Sequence, residues 1–178
     1  MRHRHRAQIA LFSCLMLACG AVASAQSKHA SLGDDQFVRQ ALVSGTQEIR
    51  QGGKDADSTN AAIDAFAMRM VKDHSYANTQ LLALAHQLDI TVPNGMLPAS
   101  GAQEEAKGVQ SPPVSNNQPN PKAYFAAQVA DHKKAVALFE HEIAHGRNPQ
   151  IVAFARKTLP VLRSHLQFAE KELAHPAH

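Results

Sequence analysis

His141-Glu142-Ile143-Ala144-His145 reads H-E-x-x-H. With that spacing two imidazoles one helical turn apart hold zinc and the glutamate activates a water. The chemistry needs more than the string. Both histidines must face a cleft, and a third ligand must converge on the same ion. The stretch "HGRNPQI" that follows has no further histidine at the spacing of the elongated zincin pattern. With 11 histidines in 178 residues, a chance match is ordinary. Three others, His74, His132 and His165, stand in apolar surroundings. An imidazole there is either a hydrogen-bonded core residue or a metal ligand. Which reading applies depends on the elements that position them.

Four helical segments emerge. The first runs from about residue 34 to 57, opening on the acidic pair Asp34-Asp35, with Gly52-Gly53 weakening its last turns. The second covers about 58–89, with Ser58 or Thr59 as N-cap. The third spans about 121–145, with Asn120 as cap, Pro121 at the first helical position and Gly146 as stop. The fourth spans about 149–174, capped by Asn148, and Pro160 inside it is expected to kink it or end its first half. Residues 90–120, rich in Pro, Gly, Ser and Asn, read as a loop. Short links make helices 1–2 and 3–4 antiparallel hairpins. The loop is long enough for the third helix to restart at the far end, so the expected fold is an all-α, ferritin-like four-helix bundle with one long crossover.

The 3-4 seam of the second helix is Ile63, Ala67, Met70, His74, Ala77, Leu81, Leu84 and Leu88. The third repeats it with Phe125, Val129, His132, Val136, Phe139 and Ile143. The fourth has a wide apolar face, with a second ridge of Ile151, Phe154, Thr158, Val161, His165 and Phe168. Histidine is the polar exception on both seams, and His165 stands with Thr158 on that ridge. Counting along the helices puts His74 and His132 within roughly 6 Å in height, and His132 and His165 within about one turn, so the three suit one central layer. Asp73 and Asp131 directly precede two of them, in "VKDH" and "VADH", at the edge of the buried face. Each is a candidate to orient an imidazole on a neighbouring helix or to bind a metal itself. Glu48 is the carboxylate that the first helix offers. The candidate metal set is therefore His74, His132, His165, Glu48, Asp73 and Asp131, for a divalent transition metal. The alternative is a polar layer that fixes helix register. Helices two and four lack Glu-x-x-His, which argues against an oxygen-activating di-iron enzyme.

At 100° per residue His141 and His145 fall about 160° from the apolar seam of their helix. They are expected to point at solvent, which disfavours a zinc peptidase.

Residues 1–25 read as an export signal. "MRHRHR" is basic, "IALFSCLMLACGAVA" is a short apolar core, and Ala23-Ser24-Ala25 precedes the cleavage point. Lipoprotein processing at Cys19 is the competing reading, although Met16-Leu17-Ala18 fits a lipobox poorly. The three arginines of this segment account for the net charge of +3. The mature chain is near neutral, against a nucleic-acid partner. Both cysteines, Cys14 and Cys19, lie there too, so no mature disulfide or thiolate site is expected.

The chain resembles the exported bacterial family called domain of unknown function 4142, placed with the ferritin-like proteins. The resemblance rests on "QFVRQALVSGTQEI", "FAMRMVKDHSYANTQLLALA", "YFAAQVADHKKAVALFE" and "FARKTLPVLRSHLQFAE". Glu48, Asp73, His74, Asp131, His132, Leu159, Pro160 and His165 match its pattern; HEIAH lies outside it. The resemblance implies a periplasmic or envelope-associated helical bundle of unestablished activity. Together these readings favour a non-catalytic binding or sensing module, with no catalytic residue and no transmembrane segment in the mature chain. A ferritin-like metal-binding protein is the alternative. Envelope association and self-association both stay open.

Overall fold

Three helices begin at an asparagine whose side-chain oxygen accepts the first free backbone N–H groups. Asn60 accepts from Ala62 and Ile63, Asn120 from Ala123, and Asn148 from Gln150 and Ile151. Such caps satisfy donors that the helix itself cannot. A computed structural model of the chain describes residues 32–94 and 119–175. It contains α1 (Leu32–Asp55), α2 (Ala61–Gln87), α3 (Pro121–His145) and α4 (Pro149–Ala174). The expected cap of α2 is corrected. Asn60, not Ser58 or Thr59, caps the helix, and the Ser58 hydroxyl instead accepts from the Asn60 N–H. Residues 1–25, expected to be an export signal, with Cys14, Cys19 and most of the crossover segment, lie outside the described residues.

The helices form an all-α bundle. α1 packs on α2 and α3 on α4, with α1–α3 and α2–α4 closing the ring. One apolar cluster joins Phe37 and Leu42 of α1 to Leu88, Ile90 and Ile151, at the end where α2 stops and α4 starts. The other joins Ile63 and Phe66 at the start of α2 to Tyr124 and Phe125 at the start of α3 and Ala169 near the end of α4. The end of α2 and the start of α3 therefore stand at opposite ends, about 40 Å apart by helix length. The connection must cross the bundle, which is the ferritin-like arrangement.

The glycines of α1 mark close approaches. A Cβ at Gly45 would strike the Asn78 side chain, and one at Gly52 would lie 2.8 Å from the Ala67 carbonyl oxygen. α1 continues through Gly52-Gly53 because α2 packs on it there. Pro160 does not end α4. It sits on the exposed face, as does Arg156, the residue whose carbonyl it leaves without a helical donor. Val161, placed on the inner ridge by its spacing, is 37% exposed. Among the described residues no helix is long and apolar enough to cross a membrane.

Candidate metal centre

His74 (α2), His132 (α3) and His165 (α4) lie between the two apolar clusters, and all are buried. Their ring centroids are 6.0 Å apart for His74–His132, 5.5 Å for His74–His165 and 5.4 Å for His132–His165. Phe66 backs the layer, its centroid 6.1 Å from both His132 and His165. One ring nitrogen from each histidine falls within 4.8 Å of the other two. Glu48, Asp73 and Asp131 do not join that group.

Hydrogen bonds fix two tautomers. His132 donates from Nδ1 to the Gln128 carbonyl at 2.9 Å, which leaves a lone pair on Nε2. His165 donates from Nε2 to Asp73 Oδ2 at 2.9 Å, which leaves a lone pair on Nδ1. His132 Nε2, His165 Nδ1 and His74 Nε2 are all buried without a hydrogen-bond partner. Whichever tautomer His74 takes, one N–H cannot serve two lone pairs. Each buried polar atom left unmet costs about 1–3 kcal/mol.

Burial holds all three imidazoles neutral. It pushes His74 down to about 3, with His165 and His132 adding to the effect, and His165 down to about 4 against the pull of Asp73. Burial also lowers His132. For Asp73 burial acts upward, but hydrogen bonds from His165 and Arg69 outweigh it and hold the carboxyl below its usual range. The Asp73–His165 contact is thus a carboxylate accepting from a neutral imidazole, the arrangement that orients metal-bound histidines.

These residues fit a divalent metal. Bonds of 2.0–2.1 Å in a tetrahedral site bring nitrogens to about 3.3 Å, so the rings need move by roughly 1.5 Å at most from their present spacing. A cation engages three lone pairs at once. In zinc enzymes three such ligands leave one position for water, and the metal acidifies it.

Asp131 is corrected as a candidate ligand. Its side chain is exposed and pairs with Lys134 at 2.9 Å. Glu48 is buried at the α1–α3 contact beside Gln128, outside the histidine layer, and burial together with Asp131 raises it to about 7. Spacing alone did not single out Gln128, nor did it show that Glu142 is buried. Glu142 turns inward to Asp34, and burial plus that carboxylate raises it to about 7. His141 and His145 are exposed.

Residues 19–171 match the family described as Domain of unknown function (DUF4142). The chain belongs to that family. This DUF4142 bundle is similar to a DUF305 fragment from Deinococcus radiodurans, with 18% identity and a TM-score of 0.61, covering 82% of this chain and 98% of that one. It is also similar to a putative spore coat protein from Bacillus halodurans, with 13% identity and a TM-score of 0.59, covering 82% of this chain and 87% of that one. At these identities the likeness shows the fold alone. No curated protein matches the DUF4142 chain.

Proposed function

We propose that this chain is an exported binding module whose ligand is a divalent transition-metal cation, held by His74, His132 and His165. The observation that carries this reading is the set of three buried, partnerless ring nitrogens facing one another. Three neutral imidazoles without a carboxylate suit zinc, copper, nickel or iron better than magnesium or calcium. Asp73 serves as the orienting partner of His165. Binding is favoured over catalysis because the described cavity beside His74 is only about 20 Å³, room for about one water and no organic substrate. Export rests on the signal-like residues 1–25. Recovery of uncleaved protein in the cytosol would count against it.

The test is metal analysis of tag-free protein loaded with Zn(II) and dialysed. One retained equivalent is expected in the wild type and none in a His74→Asn/His132→Asn variant, with helical content and melting checked for both. Wild-type protein that retains no metal, or a folded variant that keeps its equivalent, overturns the assignment.

A further inference from the structure

At the HEIAHG end of α3, Ile143 packs against the first apolar cluster, while His141 and His145 belong to neither cluster nor to the buried layer. His141 lies nine residues beyond His132 in sequence, about 14 Å along the axis. The two imidazoles of the segment, one helical turn apart, have ring centroids 4.6 Å apart and an interplanar angle of 46°. They line a pocket of about 190 Å³ between α1 and α3. Gln36 and Gln40 line the same pocket from α1, repeating the i, i+4 spacing, and Asp34 and Glu142 contribute to its wall.

Two further observations bear on what this pocket attracts. The Asp34 carboxylate accepts the backbone N–H groups of Arg147 at 2.8 Å and Asn148 at 3.1 Å, which sets a charged carboxylate at the α3–α4 turn. Glu142 Oε1 is buried without a partner in a side chain only 3% exposed. The α3 C-terminus also ends there, and its unpaired carbonyls favour a cation.

We infer that this end of α3 is a second metal site, in which His141 and His145 chelate one divalent transition-metal ion at the mouth of the α1–α3 pocket and water completes the coordination. An i, i+4 pair of exposed imidazoles can grip one ion from a single helix face. Zinc and copper match the imidazole donors, and the Asp34 carboxylate beneath adds favourable charge. The site is solvent-facing, so it exchanges metal faster and holds it more weakly than the enclosed layer. It binds without hydrolysing peptides. Glu142, the general base in the zincin pattern, is turned away from the histidines' outer face and toward Asp34.

This inference is independent of the buried site, and one titration separates them. Zn(II) is titrated calorimetrically into the full tag-free chain, and two classes of site are expected. His141→Ala, His145→Ala and the double variant should each weaken the looser class at least tenfold, since one imidazole loses the chelate. All three should leave the tight class intact. Both positions are exposed, so the fold should tolerate the changes, and unchanged melting curves verify this. The His74→Asn/His132→Asn variant should lose the tight class and keep the loose one. A loose class that survives the His141→Ala/His145→Ala double variant at full strength, or its absence from the wild type, overturns the proposal.

Discussion

α3 carries histidines in two opposite settings. His132 is 1% exposed, neutral, and flanked by two more imidazoles from other helices. His141 and His145 face water and meet only each other among the aromatic rings. The exposed pair fits the zincin string; the buried histidine does not. The contrast shows that side-chain direction and convergence, not spacing on one helix, decide what a histidine can do. A string describes one helix, whereas an enclosed metal site needs several, and the bundle brings its helices together in the middle.

The sharpest way to break this contrast is acid. Without metal, His74 (about 3) and His165 (about 4) lie below the 6.5 of the free side chain. Within that interval the unfolded chain binds more protons. Their contribution is therefore complete above pH 6.5 and falls toward pH 4, by up to about 1.4 kcal/mol per pH unit for each imidazole. Glu48 and Glu142 act oppositely. Raised from 4.5 to about 7, they favour the folded chain while protonated and lose that contribution as pH rises from 4.5 to 7. Denaturant midpoints should fall steeply below pH 4.5 and change little from 4.5 to 6.5. A Glu48→Gln/Glu142→Gln variant should make the latter window steep as well, with stability rising with pH. An acid limb that is flat in the wild type would contradict the buried neutral layer.

Metal comes next in size. Zn(II) at about a hundredfold above its Kd adds about 2.7 kcal/mol, a rise of roughly 5–10 °C in Tm for a domain of this size. His141→Ala/His145→Ala should retain that rise and His74→Asn/His132→Asn should lose it; the reverse pattern would exchange the roles of the two sites. Smaller again, Asp73→Asn should weaken the tight class by about 10–100-fold, the usual cost of losing a histidine's carboxylate partner. Calorimetry of that variant should show the loose class unchanged. Last, Asp131→Asn should shift chemical-denaturation stability by no more than about 0.5 kcal/mol, as exposed ion pairs do. A loss of tight binding there would return Asp131 to the site.

The pair Asp73 and Asp131 also shows where sequence reading stops. Both precede an inward histidine, at the same angle on their helices. Periodicity located the helices, their inward faces and three histidines at compatible heights, because burial follows the 3.6-residue repeat. It did not say which neighbour each flank meets. Asp73 faces His165 across the α2–α4 seam, while Asp131 pairs with Lys134 on the exposed side and reaches Glu48 and His132 only through its charge. Glu142 illustrates the converse. It sits between two exposed histidines, yet Asp34 at the start of α1 covers its side of the helix. The cap of α2 is a local choice that periodicity does not reach, since Ser58, Thr59 and Asn60 are all competent caps and the turn geometry selects Asn60.

The three buried imidazoles are divided unequally between the hairpins: one comes from α1–α2 and two from α3–α4. An ion held by all of them would tie residue 74 to residues 132 and 165, bridging the long connection from inside. The two cysteines lie at positions 14 and 19, before α1 begins at Leu32 in the sequence. What a disulfide does permanently elsewhere, such an ion would do as a removable staple, opened by a chelator or by acid.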